Sequence, residues 1–377
     1  MKFGIFYELS VPRPWDHESE RRVYLNALEQ VELADQLGFD YVWAVEHHFT
    51  EEYSHCSAPE LFLTACAMRT RRIHVGHGIV ICVPQFNHPI KIAERAAVLD
   101  ILSKGRLEVG TGRSATWAEL GGFRSNPDDT KASWDEFVHC LPGMWTKERY
   151  SYEGQFWSMP ERAILPKPYQ KPHPRMWVAV TSAGTDLDAA DRGLGMLGLS
   201  YGSIADQEKK LIEYKRRVKN CTPAGLVVND EASAMSFMYC HEDDDTAIRE
   251  GTPIFTTYNA LTNIFVMARE ARPTKSYPSL GPLATPALKS GAAALDNKVP
   301  EGVLVGDPHR ILNVVKRYES AGFDSVNFLL TGIESTPQEK ILASLRLFAK
   351  EVMPHFGRDN QPRAGADAEL RAAGGAR

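Results

Sequence analysis

The chain has 377 residues, of which 43% are hydrophobic and 24% are charged, and its formal net charge is −5. This composition excludes disorder for most of the chain, and the acidic balance argues against a nucleic-acid partner, which binds a basic surface. The length fits one large barrel domain, because eight strand–helix units take roughly 250 residues and leave room for insertions.

The cysteines and the hydropathy indicate where the protein works. Six cysteines stand at positions 56, 66, 82, 140, 221 and 240 without the C-x-x-C spacing of a zinc or redox pair, and we interpret them as buried thiols in a reducing compartment. The first residues lack the regions of a signal peptide, and the apolar runs are far shorter than the roughly 20 residues that span a bilayer. A cytoplasmic protein without membrane contact is expected.

Short β-rich runs alternate with amphipathic helical stretches along the chain. A first helix is predicted to end at Leu37, with Gly38 in a left-handed conformation behind it. The predicted strands are 3–9, 41–48, 73–83, 106–112, 176–181, 196–201, 234–239 and 326–330. The further predicted helices are 59–69, 89–102, 131–147, 186–192, 205–219, 308–321 and 338–352. This alternation predicts an α/β protein with a (β/α)₈ TIM barrel.

Three insertions are expected within a single domain that spans residues 1–357. They are the segments of about 114–130, 150–174 and 271–300, and the second is expected to form a hairpin and loop that cover the barrel. The aromatic stretch from Trp145 to Trp157 and the third insertion are expected to shape a pocket for a medium or large apolar substrate. The helix-to-strand turn 37–40 recurs at 321–324, and the tail 358–377 is predicted to be disordered.

Catalytic groups of such a barrel lie at the carboxyl ends of the strands, where the β–α loops meet. Polar side chains and glycines are found at these positions, where a purely structural barrel would favour apolar residues. They are Glu8, Glu46-His47-His48, Gly78-Ile79, Gly112-Arg113-Ser114, Thr181-Ser182 and Ser200-Tyr201. We therefore expect the functional site at this end of the barrel.

The pair His47-His48 is the strongest candidate for acid–base chemistry. The ordinary pKa of histidine, near 6.5, suits proton transfer at neutral pH. Successive side chains of a strand point to opposite faces, so only one of the two rings is expected to face the barrel mouth. Two alternatives stay open. Both can be structural histidines, or Glu46 and His48 can bind a metal with the histidines at 74, 77 and 88, although no ligand spacing supports the metal.

A candidate anion site follows the fourth strand. The segment 110–113, with the sequence GTGR, combines two glycines that allow close backbone approach with a cation at Arg113, which suits a phosphate or a flavin edge. It is a poor dinucleotide fingerprint, because Ala115 replaces the third glycine and the segment does not open the chain. A tight turn with a solvated arginine is the alternative.

A second candidate anion site follows the fifth strand. Thr181, Ser182 and Thr185 place hydroxyl groups in front of a predicted helix, where hydroxyls and backbone N–H groups can hold an anion. The alternative is that these residues simply cap the helix.

In the order of its motifs, the chain resembles the luciferase-like flavin monooxygenases. The motifs are Glu46-His47-His48-Phe49, 75–78 (VGHG), the stretch from His88-Pro89 to Asp100, 103–107 (SKGRL) and Val109-Gly110. The resemblance covers about residues 1–200 and resumes at 305–308 (VGDP) and in the last strand. Together, on alternating strands and helices, these motifs are specific to the superfamily but not to a substrate.

The resemblance implies a TIM barrel that binds reduced FMN delivered by a separate flavin reductase. It implies an active-site histidine at His47, with His48 orienting it or packing beside it. It also implies a strained bulge under the isoalloxazine near Gly78 and Ile79. The flavin phosphate is expected at Gly112, Arg113, Thr181, Ser182 and Thr185.

The leading hypothesis is a two-component monooxygenase that uses reduced FMN and O₂ to transfer one oxygen atom to a small organic substrate, while the other leaves as water. The first alternative is hydride transfer with the deazaflavin F420, which other members of the superfamily use. The second is a non-catalytic flavin-binding dimer partner, against which His47 and Arg113 argue. A homodimer, or a heterodimer with a paralogue, is expected because barrels of this family pair through outer helices. No metal is expected.

Overall fold

Eight parallel strands close into a barrel in the computed structural model of the chain, which describes residues 1–114, 116–182, 184–199, 203–262, 299–331 and 336–357. The strands of these ranges are Lys2–Tyr7 (β1), Tyr41–Ala44 (β2), His74–His77 (β3), Val80–Ile81 (β4), Leu107–Gly112 (β5), Tyr150–Glu153 (β6), Ser158–Arg162 (β7), Arg175–Val180 (β8), Gly195–Leu199 (β9), Ala232–Cys240 (β10), Leu304–Gly306 (β11) and Ser325–Leu329 (β12). The order around the barrel is β1, β2, β3 with its continuation β4, β5, β8, β9, β10 and β12, which pairs again with β1. The predicted TIM barrel is confirmed.

Helices connect the strands and surround the barrel. They are Ser19–Leu37 (α1), Pro59–Arg69 (α2), Pro89–Leu102 (α3), Trp117–Gly122 (α4), Thr130–Thr146 (α5), Thr185–Asp191 (α6), Ile204–Val218 (α7), Asp244–Leu261 (α8), Pro308–Ser320 (α9) and Gln338–Glu351 (α10). The bounds of α2 and α3 are those predicted, because each begins with a proline at its first position, where the missing N–H is not needed. Within the described ranges, no helix combines the length and the apolarity needed to cross a membrane.

Some elements differ from the sequence prediction. The second strand ends at Ala44 instead of residue 48, and the third is divided into β3 and β4. The helices α4 and α8 and the short strand β11 were not predicted. In α8 the interior Pro253 removes a backbone donor, which disguises the helix in the sequence. Gly251 of the same helix lies against β11, since a Cβ there would be 2.6 Å from Val305 Cγ1.

Large aromatic rings fill the inside of the barrel. Trp43 and Trp177 are fully buried, with ring centroids 5.5 Å apart in an edge-to-face arrangement. The Trp43 ring fits because β3 has a glycine opposite it: a Cβ on Gly76 would be 2.3 Å from the ring. These residues close the middle of the barrel.

Charged side chains fill the amino-terminal end of the barrel. Arg175 forms ion pairs with Glu108 and, at 2.6 Å, with Glu231, which Lys2 also contacts at 2.8 Å. Burial of Glu108 favours its neutral form, but the charges of Arg175 and His74 outweigh burial and lower the pKa of Glu108 to about 2. With this end and the middle filled, the loops at the carboxyl-terminal rim are left for chemistry.

The turn that recurs in the sequence has one structure at both places. Gly38 and Gly322 are left-handed, with φ angles of 92° and 95°, as the helix ends require. The carboxylates of Asp40 and Asp324 accept hydrogen bonds from backbone N–H groups of β1 (2.9 Å) and β10 (2.7 Å). Each turn thus ties a helix end to a neighbouring strand.

The predicted hairpin exists and is held against α5. β6 and β7 pair antiparallel, and backbone N–H groups of their turn donate to Glu136 of α5. Trp157 packs against His88, and Trp145 donates to the carbonyl of Ala93 at 3.0 Å. The aromatic stretch thus contacts α3 and its N-cap, and its expected role in shaping a substrate pocket stays a prediction. Most of the third insertion and the tail 358–377 lie outside the described residues.

All six cysteines are free thiols. Five are buried as predicted, whereas Cys221 is only half-buried.

Candidate active site

The predicted site residues gather on one rim of the barrel. The barrel strands are parallel, so the segments that follow their carboxyl ends meet at the same end. Glu8 follows β1, the two histidines follow β2, Gly78 and Ile79 separate β3 from β4, and Arg113 follows β5. Thr181 and Ser182 follow β8, while Ser200 and Tyr201 lie outside the described residues.

His47 lies between two glutamates. The chain has already left β2 at this point, and the N–H of His47 donates to the carbonyl of Cys56 at 3.0 Å. Its Nδ1 is 3.0 Å from Glu119 Oε1, and its Nε2 is 3.8 Å from Glu8 Oε2. The strand-alternation argument therefore does not apply to His47 and His48, although their rings do have different surroundings.

Glu119 is held in place by the start of α4. Thr116 caps this helix by accepting a hydrogen bond from the N–H of Glu119 at 3.1 Å, and its own hydroxyl donates to Glu119 Oε2 at 2.7 Å. Ser114 donates to the same oxygen at 2.6 Å, and the N–H of His48 donates to Oε1 at 3.0 Å. With His47, four donors satisfy this fully buried carboxylate.

The two partners hold each other in the charged form. Burial opposes the imidazolium, but the charge and hydrogen bond of Glu119, followed by Glu8, outweigh it and raise the pKa of His47 from 6.5 to about 9. Burial likewise opposes the Glu119 carboxylate, but His47 and the hydroxyl donors lower its pKa. At neutral pH the pair is an imidazolium and a carboxylate.

We expect Glu119→Gln to lower the pKa of His47 by about one to two pH units, because a hydrogen bond to a charged group contributes ~1.5–3 kcal/mol. The measurement is a pH titration of ring-labelled histidine by NMR, with exposed His309 as the internal reference. Because the folded pKa of His47 lies above 6.5, the stabilisation that protonated His47 contributes is complete below about pH 6.5 and is lost as pH rises through about 9. An unchanged titration of His47 would contradict the assignment of Glu119.

A second buried carboxyl group faces the other side of His47. Glu8 Oε1 is 3.0 Å from the hydroxyl of Tyr53 and 3.2 Å from that of Tyr258, and the two hydroxyls are 2.8 Å apart. Burial raises the pKa of Glu8, against the opposing effect of His47 and the hydroxyl donors. The imidazole of His47 thus lies between two carboxyl groups, of which Glu119 has a lowered pKa and Glu8 a raised pKa.

His48 belongs to a different environment. Its Nε2 is 3.2 Å from Glu46 Oε1, and its ring packs edge-on against Phe123. Glu46 also accepts from the N–H of Ile81 (2.7 Å) and from the amide of Asn87 (2.8 Å), which connects the end of β2 to β4. The His48 ring therefore packs against Phe123 and binds Glu46, and its backbone N–H helps to position Glu119.

The third strand carries a bulge at the predicted position. The five residues from Gly76 to Val80 stand opposite the four from Glu108 to Thr111, so one residue of the third strand is extra. Neither Gly78 nor Ile79 has a left-handed φ, so the expected backbone strain is not visible in this angle. Ile79 instead packs over β5, where a Cβ on Gly112 would be 2.8 Å from its Cγ1.

The predicted anion-binding residues line one cavity between β5 and β8. Its walls are formed by Gly112, Arg113, Lys131, Trp134, Val178, Ala179, Thr181, Ser182, Thr185 and Asp188. The capping alternative for the hydroxyls is not supported, because Gly184 caps α6 and no side chain bonds to that end. α6 has only seven residues, so the hydroxyls and cations, more than a helix dipole, give the cavity its anion-binding chemistry.

Charged groups of both signs lie at this cavity. Arg113 contacts the hydroxyl of Thr130 at 3.3 Å. The acidic residue of the wall, Asp188, is paired with Lys131 at 2.7 Å and with Arg192 at 3.3 Å. Arg192 also pairs with Asp135 at 2.5 Å, so the cavity wall carries Arg113 and Lys131 beside one paired carboxylate.

The metal alternative finds no support in the contacts of its proposed ligands. Glu46 and His48 are paired, whereas His74 binds Glu108 at the opposite end of the barrel. Within the described ranges, no three His, Cys, Asp or Glu side chains are grouped so that they could hold a metal ion.

Sequence reasoning missed part of the site. Glu119, Tyr53, Tyr258 and Lys131 were not singled out, and Glu8 was placed on the rim without a role. The T-x-x-E capping pattern of residues 116–119 was a readable signal for Glu119. The tyrosines carry no comparable signal.

The chain is similar to known proteins over most of its length. A family model described as luciferase-like monooxygenase matches residues 1–325. The oxygenase component of a flavin-dependent trigonelline monooxygenase from Acinetobacter baylyi is 25% identical over 358 residues, which cover 94% of this chain and 96% of that protein.

Solved structures give the same result for the fold. The monooxygenase RslO1 from Streptomyces bottropensis is 28% identical with a TM-score of 0.76, and the match covers 95% of this chain and 100% of that one. The oxygenating constituent of 3,6-diketocamphane monooxygenase from Pseudomonas putida, in complex with FMN, has a TM-score of 0.73 at 18% identity, over 95% and 99% of the two chains. At 18% identity, the second likeness concerns the fold alone.

Proposed function

Because the chain belongs to the luciferase-like monooxygenase family, we propose that it is the oxygenase component of a two-component system that uses reduced FMN and O₂ to oxygenate a small organic substrate. The observation that carries this proposal is that a cavity with anion-binding chemistry and a charged, carboxylate-held imidazole share one barrel rim. The segment 112–114 joins them: Arg113 lines the cavity, and Ser114 bonds to Glu119. The similarity to a relative named as an oxygenase component supports a separate flavin reductase.

The residues of the rim fit a flavin mononucleotide. Arg113, Thr181, Ser182 and Thr185 combine a guanidinium with hydroxyl donors, which is the donor set that a phosphate monoester requires. The bulge at Gly78 and Ile79 lies between this cavity and His47 in the order of the strands, where a ring system attached to the phosphate would lie.

The protein contributes positioning and proton control to the reaction. When bound, reduced flavin supplies the electrons that activate O₂. His47 holds a proton on Nε2 because Glu119 holds Nδ1 and keeps the ring charged, so the ring can donate this proton to the reacting oxygen. His48 packs beside His47 against the ring of Phe123.

Oxygen uptake with two reduced cofactors tests the proposed function. Protein-bound FMN, reduced by light, is mixed with O₂, and the same protein is tested with reduced F420, with trigonelline and 3,6-diketocamphane as trial substrates. We expect tight binding of FMN, a long-lived absorbance change after O₂ is added, and oxygenated product with an accepted substrate. Turnover with F420 alone would replace the proposal by hydride transfer, and flavin binding without any reaction would indicate a non-catalytic partner protein.

We also propose that the chain forms a dimer through α2 and α3 and works in the cytoplasm. The neighbouring helices α2 and α3 expose Leu61 (70% exposed), Met68 (64%), Val98, Ile101 and Leu102. Exposed apolar side chains on two neighbouring helices are typical of an interface between subunits. The free thiols fit a reducing compartment.

Met68→Glu is expected to weaken dimerisation about a hundredfold, since burying an unpaired carboxylate in an interface costs ~3 kcal/mol or more. Analytical ultracentrifugation over a concentration series measures the effect. Ile212→Glu, which changes an equally exposed residue of α7, is the matched control and should leave the dimer intact. A monomeric unmodified protein would refute the proposed interface.

A further inference from the structure

Three oxygen atoms form a closed triangle beside His47. They are Glu8 Oε1 and the hydroxyl oxygens of Tyr53 and Tyr258, at separations of 3.0, 3.2 and 2.8 Å. All three residues are about 3% exposed and come from different parts of the chain, since Glu8 follows β1, Tyr53 lies between β2 and α2, and Tyr258 is in α8. The triangle is part of the buried wall of the rim.

Counting hydrogens assigns a proton to Glu8. Three oxygen–oxygen contacts at hydrogen-bond distance are all satisfied when each holds one hydrogen. The two tyrosine hydroxyls supply only two, and burial raises the pKa of Tyr53 well above its ordinary value, which keeps Tyr53 a phenol. A hydrogen on the carboxyl group of Glu8 satisfies the third contact, and burial, which raises the pKa of Glu8, favours the same form.

The other carboxyl oxygen of Glu8 faces His47. Glu8 Oε2 is buried, has no hydrogen-bond partner among the described residues and is 3.8 Å from His47 Nε2. The other ionisable groups that act on this pair are Glu119 on both residues, Glu46 on His47, and the two tyrosines of the triangle on Glu8. With Glu8 neutral, Glu119 is the carboxylate that keeps His47 charged.

We propose that Glu8, Tyr53 and Tyr258 form a buried proton store that recharges His47 after it has given a proton to the reacting oxygen. This inference rests on the proposed function for the use of the proton, but not for its presence on Glu8. Glu8 acts through His47 and is a positioning residue for the proton, because nothing in the triangle contacts the cavity between β5 and β8.

The transfer leaves the Glu8 carboxylate with two hydrogen-bond donors, while the contact between Tyr53 and Tyr258 no longer holds a hydrogen. Once His47 is neutral, with its remaining hydrogen on Nδ1 toward Glu119, the carboxyl proton moves to Oε2, the O–H bond breaks and a new N–H bond forms at Nε2. The carboxylate that remains on Glu8 then accepts hydrogen bonds from both tyrosines at Oε1. Glu8 regains a proton when His47, whose side chain is 23% exposed, exchanges with solvent.

Glu8→Gln tests the store, because the amide keeps the shape and the hydrogen bonds but has no acidic proton. In the cofactor-free protein at neutral pH, we expect an infrared band of a protonated carboxyl group that Glu8→Gln removes. Glu8→Asp should retain the band, as should Tyr214→Phe, which removes a buried hydroxyl that binds Leu194 instead. Absence of the band from the unmodified protein overturns the proposal.

Turnover provides the second readout. With reduced FMN and O₂, product formed per O₂ in Glu8→Gln should fall severalfold as pH rises from about 6.5 to 8.5, while the unmodified protein stays level and Glu8→Asp recovers part of the yield. A Glu8→Gln protein with an unchanged yield and pH profile overturns the proposal. If the unmodified protein shows the band but does not use reduced flavin, the proposed function fails and the protonated Glu8 is still supported.

Discussion

Replacement of His47 by alanine is expected to lower product formation about a hundredfold or more while O₂ is still consumed and released as H₂O₂. General acid–base catalysis by one side chain contributes roughly 10²- to 10⁴-fold, and His47 is the charged imidazole of the rim, held by Glu119 at 3.0 Å. The affinity for FMN should change little, because His47 lies after β2, whereas the anion-binding cavity lies between β5 and β8. The measurement combines O₂ uptake, H₂O₂ yield, product yield and FMN titration.

Two further histidine variants define the specificity of this result. His309→Ala removes an exposed imidazole of α9 and should behave like the unmodified protein. His48→Ala should have a smaller effect than His47→Ala, since His48 binds Glu46 and packs against Phe123, whereas its backbone N–H, which reaches Glu119, is retained. An unchanged product yield in His47→Ala would rule out His47 as the proton donor.

The barrel could be predicted because each of its strands has a hydropathy pattern that is recognisable in the sequence. Each is a short apolar run next to an amphipathic helix, and prolines and glycines mark many of the helix ends, as at Pro59, Pro89 and Gly38. The break between β3 and β4 could not be predicted in the same way. A bulge exists when one strand has an extra residue relative to the strand it pairs with. The sequence of one segment does not determine this pairing.

The candidate site was predictable where it depends on strand ends. Arg113, Thr181 and Ser182 each follow a strand of the barrel, so their gathering around one cavity follows from the topology. The partners of His47 depend on long-range contacts instead: Glu119 is 72 residues away in the chain, and Tyr53 and Tyr258 are 205 residues apart. The spacing of residues within one segment does not predict contacts between residues so far apart in the chain.

Replacement of Arg113 by alanine is expected to weaken FMN binding about ten- to hundredfold. A hydrogen bond between charged groups contributes ~1.5–3 kcal/mol, and every 1.4 kcal/mol is a factor of ten in Kd. Thr181→Ala and Ser182→Ala should each have a smaller effect, because a neutral hydroxyl contributes ~1 kcal/mol. The control is Arg72→Ala, which removes an exposed arginine just before β3, at the opposite end of the barrel.

Riboflavin, which lacks the phosphate, makes the test specific for the contact. In the unmodified protein, FMN should bind about ten- to hundredfold more tightly than riboflavin, and in Arg113→Ala most of this preference should disappear, because the variant and the ligand change remove the same interaction. Fluorescence titration of both ligands with both proteins gives the four dissociation constants. If Arg113→Ala weakens FMN and riboflavin equally, the guanidinium does not bind the phosphate, and the cavity between β5 and β8 loses its assignment as the phosphate site.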